Sequence, residues 1–175
     1  YNGEIRYLVQ EDESRETFTY YPGNGFSKNS VAKTQTICLD SRKYNTVAYN
    51  IDDNNYFKLR DIAQILNGTI KTFDVKYDGA TNSIDMLSFY DYTSVGGELT
   101  PGDDVTRTAF SSSAFLTLDG VPIKATCYNI DGNNYFKLRD ITDALDCRVE
   151  WDDNNQLIWV VPSVPAYDDP NEAVG

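Results

Sequence analysis

The chain is 175 residues long and carries 27 acidic against 15 basic side chains, a net charge of −12 that opposes phosphate backbones and anionic membrane surfaces. It contains no histidine, which removes Ser-His-Asp and Cys-His nucleophile systems and every imidazole metal ligand. Apolar residues make up 41%, enough for a core, yet no apolar run approaches the roughly eighteen residues of a membrane span.

Residues 1–35 begin without an initiator Met or a signal-like segment and read as the start of a processed or excised chain. Two strands are predicted there, Glu4–Val9 and Glu16–Tyr21, forming a lead-in hairpin before the turn-rich Pro22-Gly23-Asn24-Gly25. Residues 36–91 form a first unit. Thr36–Asp40 is a predicted strand, and a second strand leads into Tyr49–Leu66, YNIDDNNYFKLRDIAQIL.

That stretch recurs at Tyr128–Leu145 as YNIDGNNYFKLRDITDAL, and within its first fourteen positions only Asp53 against Gly132 differs. The chain is therefore an internal duplication. Asp131-Gly132 between extended runs is a hairpin signal, and Asp53 takes the glycine position in a left-handed conformation. After the turn, alternation puts Phe57 and Leu59 (Phe136 and Leu138) on a core face, and Tyr56 and Lys58 (Tyr135 and Lys137) on the other.

Asp61 and Asp140 stand where a helix N-cap is wanted, with Gln64 placed to complete a capping box in the first copy. The apolar positions Ile62, Ile65, Leu66 and Ile141, Ala144, Leu145 then follow at helical spacing. Phe73–Gly79 and, after a turn, Ser83–Leu87 are the strands that close the first unit. Residues 92–111, rich in Gly and Pro, read as a linker. Residues 112–162 form the second unit, which opens at Phe115–Gly120 and closes with strands Arg148–Asp152 and Leu157–Val161. Residues 163–175 read as a flexible tail. Each unit reads β-β-β-α-β-β, which predicts an α+β fold of two tandem similar units, each with one short helix on antiparallel strands.

The repeated pattern, with the V-x-(Y/W)-D and I-x-(M/V) strands that follow it, resembles the copper amine oxidase N-terminal-like domain, or stalk domain, of surface and secreted proteins of Gram-positive bacteria. The resemblance covers Thr36 to Val161, and the join Tyr92–Leu99 (YTSVGGEL) is similar to that between tandem copies in clostridial members. It implies an extracellular or cell-wall location and an accessory role in adhesion, spacing or presentation of an attached domain. It implies no reaction, and without histidine no copper chemistry is expected.

Neither a cofactor nor a metal is expected. Cys38, Cys127 and Cys147 have no metal-type spacing and read as buried thiols, with a Cys127–Cys147 disulfide as the alternative. The repeated Arg60-Asp61 and Arg139-Asp140 read as helix starts rather than a site used twice. Asp52–Asn55 and Asp152–Asn155 read as hairpin turns rather than Ca²⁺ loops. Thirteen tyrosines and two tryptophans leave two readings open, a sheet core and a sugar-stacking surface. If a ligand surface exists, the alternation places it at Tyr56, Lys58, Tyr135 and Lys137, with a cell-wall polymer, a glycan or a protein as partner. Two other functions remain: a carbohydrate-binding module and a hydrolase built on a carboxylate pair.

Overall fold

The computed structural model describes residues 27–162; the strands expected at Glu4–Val9 and Glu16–Tyr21, and the tail, lie outside them. The described elements run β1 (Ser27–Val31), β2 (Lys33–Leu39), β3 (Arg42–Ile51), β4 (Asn54–Lys58), α1 (Leu59–Leu66), β5 (Phe73–Asp78) and β6 (Ser83–Ser88). They continue as β7 (Thr106–Ser111), β8 (Phe115–Leu118), β9 (Val121–Pro122), β10 (Cys127–Ile130), β11 (Asn133–Lys137), α2 (Leu138–Ala144), β12 (Cys147–Asp152) and β13 (Leu157–Pro162).

The local reading holds at the repeated hairpins. Asp52, Asp53, Asp131 and Gly132 all have positive φ, as the tight turn requires, and both hairpins are followed at once by a short helix. The expectation of two tandem α+β units is corrected. Strands account for 53% of the described residues and helices for 11%, and the strands form one nine-stranded mixed sheet and one four-stranded sheet, each drawing on both repeats.

The reason lies in how the repeats pair. The final hairpin of the first repeat, β5-β6, sits beside the opening hairpin of the second, β8-β9, through a parallel contact in which Ile84 faces Leu116. Reciprocally, β12-β13 sits beside β2 and β3, with Ile158 facing Ile37 in the same parallel register. Equivalent strands have equivalent edges, so periodicity predicts each strand but cannot choose between its own repeat and the other as partner.

A pseudo-twofold axis follows from the registers. Phe57 pairs with Phe136, its own counterpart, and Asn29 pairs with Thr108, its counterpart 79 positions on. Ser27–Val31 thus corresponds to Thr106–Phe110, so the repeat begins earlier than its sequence identity shows. The strands β1-β7-β10-β11-β4-β3 curl until β1 lies against β3, where the Ser30 hydroxyl donates to the Asn50 carbonyl at 2.8 Å.

Two cores result. The larger gathers Phe57, Ile62, Leu66 and Phe73 from the first repeat with Phe136, Ile141 and Ile158 from the second. The smaller lies inside the curl and is built on Tyr49, Tyr56 and Tyr135 with Tyr128 against them.

Candidate functional site

The expected ligand face is divided by the structure. Tyr56 and Tyr135 are only 4% and 5% exposed, because the face they share is covered by the curl of the sheet and forms the second core. The rings of Tyr49 and Tyr135 meet edge to face at 5.0 Å, and those of Tyr56 and Tyr128 repeat the contact at 5.1 Å across the pseudo-dyad. This geometry is favourable for aromatic pairs. Burial pushes the Tyr56 hydroxyl up to about 12. No exposed platform is formed by Tyr56 or Tyr135.

Asp61 and Asp140 are not N-caps. Strand β4 passes directly into α1 at Leu59, so Lys58 takes the cap position and Asp61 is the third helical residue; Gln64 therefore completes no capping box. Asp61 is fully buried. It accepts hydrogen bonds from the Thr46 hydroxyl and, at 3.0 Å, from the Leu99 N–H, and Lys58 Nζ lies 3.7 Å away. Burial raises its pKa, against the lowering effect of these three neighbours.

The segment Tyr92–Leu99 is thereby clasped onto the start of α1. Lys58 donates to the Gly97 carbonyl at 2.9 Å, and Arg60 donates to the Tyr92 hydroxyl at 3.4 Å. The Tyr92 hydroxyl in turn donates to Glu98 at 2.7 Å. Against the opposing effect of burial, this bond and those from the Val95 N–H and Ser94 hold the Glu98 carboxyl down to about 2. In the second repeat Ala125 stands where Thr46 would be, and Asp140 is only half-buried and takes the Thr126 N–H at 2.8 Å instead.

All three cysteines are free and buried, so the Cys127–Cys147 disulfide does not form. At the Asp152 turn, Oδ1 accepts the Asn154 and Asn155 N–H groups at 3.1 Å each, and Oδ2 accepts the Asn155 amide at 2.9 Å. The carboxylate is engaged in closing a turn. Among the described residues no group of three or more Cys, Asp or Glu is placed to hold a metal ion, and no helix is long and apolar enough to cross a membrane.

What the structure does assemble is a pair of equivalent grooves on the seam between the repeats. One opens between the start of α1 (Lys58, Leu59, Arg60) and the turn of the other repeat (Gly132, Asn133, Asn134), with Val75, Tyr77 and Ile84 along its wall. The second opens between Lys137, Leu138, Arg139 and the turn Asp53, Asn54, Asn55, with Val149, Trp151 and Ile158 along its wall. Each of the nine residues lining the second groove has its repeat counterpart in the first. The two predicted lysines, Lys58 and Lys137, therefore line the grooves even though Tyr56 and Tyr135 do not.

The grooves differ in width for reasons visible in the residues. The first encloses about 480 Å³ and the second about 170 Å³. Gly132 faces the first where Asp53 faces the second, and Ser111, Ser112 and Ser113 occupy the positions of Ala32, Lys33 and Thr34. Trp151 also replaces the smaller Tyr77. Both rings are open to solvent, Tyr77 at 54% and Trp151 at 42%. Trp151 is fixed by a 2.6 Å bond from its Nε1 to Asp153.

The asparagines are ordered the same way in both grooves. Asn50 donates to Asn55 Oδ1 at 3.1 Å, and Asn129 donates to Asn134 Oδ1 at 3.3 Å. The Asn134 oxygen also accepts from the Ser112 hydroxyl at 3.4 Å; with their oxygens so used, Asn55 and Asn134 each keep an NH₂ group to donate. Sequence reasoning placed Tyr77 and Trp151 only in a strand pattern and Asn54 and Asn55 only in a turn, and assigned none of them to a ligand surface. One signal was present: the strand after each helix carries an aromatic at the same repeat position, two residues beyond Val75 and Val149.

Comparison with protein-family models, with curated proteins and with solved structures finds no match to this chain.

Proposed function

We propose that the chain is a non-catalytic module of a secreted or cell-wall-attached protein, serving adhesion, spacing or presentation of an attached domain through its two seam grooves. The observation that carries this reading is the nine-for-nine equivalence of the grooves. A surface formed twice, with exposed aromatic rings in both copies, is what a binding module with repeated contacts requires. The resemblance of the repeat to stalk domains supports the extracellular setting, and the net charge of −12 argues against nucleic acid as the partner.

The test is a pull-down of the purified chain on insoluble Gram-positive cell-wall preparations, with the supernatant assayed for released soluble fragments. Saturable retention without release is expected. Release that continues with time and scales with protein would overturn the non-catalytic reading in favour of a carboxylate-based hydrolase. Failure to be retained on any wall preparation would remove adhesion.

A further inference from the structure

We propose that each seam groove is a subsite for one pyranose unit of a neutral polysaccharide, with Tyr77 in the first groove and Trp151 in the second stacking on the apolar face of the sugar. The proposal rests on the binding-module reading above and names the ligand class for the same grooves.

The lining dictates the ligand. Each groove has an exposed aromatic ring beside an aliphatic wall, Val75 and Ile84 in one, Val149 and Ile158 in the other. That combination favours a flat group with an apolar face. The opposite wall offers carboxamides: Asn55 and Asn134 present their NH₂ groups as donors, and Asn54 and Asn133, which each donate one N–H to the carbonyl of Asp52 or Asp131, keep a second N–H and an accepting oxygen. The ligand must therefore be apolar on its face and carry donors and acceptors around its edge. A pyranose ring, with C–H groups on its face and hydroxyls at its rim, meets both demands.

Charge narrows the class. A nucleobase is also flat with a polar edge, but it comes with phosphates that a chain of net charge −12 repels, and polyanionic glycans meet the same opposition. In the first groove the cations are already engaged within the protein, Lys58 by the Gly97 carbonyl and Arg60 by the Tyr92 hydroxyl. In the second, Asp53 stands opposite Lys137 and Arg139. A neutral sugar fits both grooves.

Size separates them. The wider groove, at about 480 Å³, falls within the usual range for small-ligand sites, about 300–1,000 Å³, whereas the narrower one offers a single stacking place beside the larger ring.

The experiment titrates the full chain with hexameric N-acetylglucosamine and with cellohexaose by calorimetry and tryptophan fluorescence, for the wild type, Tyr77→Ala, Trp151→Ala and Trp151→Phe. Both positions are open strand residues, and circular dichroism verifies that each variant is folded. Two sites per chain are expected, falling to one in each Ala variant as the affected groove weakens by about tenfold or more, while Trp151→Phe keeps its site. Binding that is unchanged in both Ala variants would overturn the assignment of the grooves. Retention on cell walls with no binding to either oligosaccharide would overturn the sugar class and leave the module reading standing, and so would retention abolished by protease treatment of the walls, which identifies a protein ligand. Loss of wall retention as well would overturn both.

Discussion

Replacing Asp61 tests whether a buried carboxylate holds the inter-repeat segment by its hydrogen bonds or by its charge. In Asp61→Ala the Thr46 hydroxyl, fully buried, and the Leu99 N–H both lose their acceptor. Each unsatisfied group costs about 1–3 kcal/mol, and with the small void the total is about 3–5 kcal/mol. Asp61→Asn keeps the shape, its carbonyl can still accept from Leu99, and Lys58 retains the Gly97 carbonyl, so the cost at pH 7 is below about 1.5 kcal/mol. The pH dependence has a definite sign. Burial raises the Asp61 pKa above its ordinary 3.8, so the native state holds this proton more tightly than the unfolded chain does. The associated stability is full below about 3.8 and is lost as pH rises through the higher folded value. Asn cannot ionise, so its stability relative to wild type improves as pH climbs from 4 to 7. Urea unfolding followed by far-ultraviolet circular dichroism at several pH values measures the difference. An Asn variant as damaged as Ala at neutral pH, with no change in the gap across that window, would show that the charge and its Lys58 contact dominate.

Four further outcomes are expected. Tyr56 and Tyr92 are both raised by burial to about 12, so the stability they supply is full below the ordinary value of 10.0 and lost above it; an absorbance titration should show their ionisation delayed until the chain unfolds in alkali. Gly102→Ala places a Cβ 2.4 Å from the Ala32 carbonyl oxygen, a backbone atom that cannot swing aside, so calorimetry should record a fall in Tm for a cost of about 1–3 kcal/mol. A thiol reagent should modify none of the three cysteines in the native protein and all three after denaturation, since all are buried and burial pushes the Cys127 and Cys147 thiols up to about 12 and 11. Separately produced, residues 27–91 and 92–162 should each fail to fold as a monomer and should regain native circular dichroism on mixing, because the β6-β8 and β13-β2 contacts join one repeat to the other; a cooperatively unfolding monomeric repeat would contradict this.

The legible part of the fold was local. Positive φ at Asp53 and Gly132, the extended run through Phe57, and the buried stripe Ile62, Ile65, Leu66 all follow from turn chemistry and period, which act over a few residues. Alternation also separated Phe57 from Tyr56 correctly. What it could not show is that both faces of β4 are covered, since that depends on β1 returning to β3 and on which repeat supplies each neighbouring strand. Tyr56 and Tyr135 were for that reason expected at a surface and are found in a core. Asp61 was misplaced by a smaller effect: the chain turns from strand to helix with no residue between Lys58 and Leu59, which moves the carboxylate inside the helix rather than before it.

The grooves were hidden for the same reason that the strand partners were. Lys58, Arg60 and Tyr77 belong to one repeat and Asn133 and Asn134 to the other, so no window along the chain contains a complete groove. Their construction depends on the exchange of strands: a repeat folded on its own hairpins would have no reason to bring the turn of its twin opposite its helix start. Because Phe57 and Phe136 pair directly and point to one side, the pseudo-dyad runs perpendicular to the β4-β11 ribbon, and an operation about that axis leaves its faces unchanged. The two grooves therefore lie at opposite ends of one ribbon and open on the same side of it. Single substitutions at Gly132 or Asp53, and at Tyr77 or Trp151, can then change one groove while the other, made from the counterpart residues, stays intact. Duplication with strand exchange in this way gives the chain two grooves that can diverge independently on a main core built from both repeats.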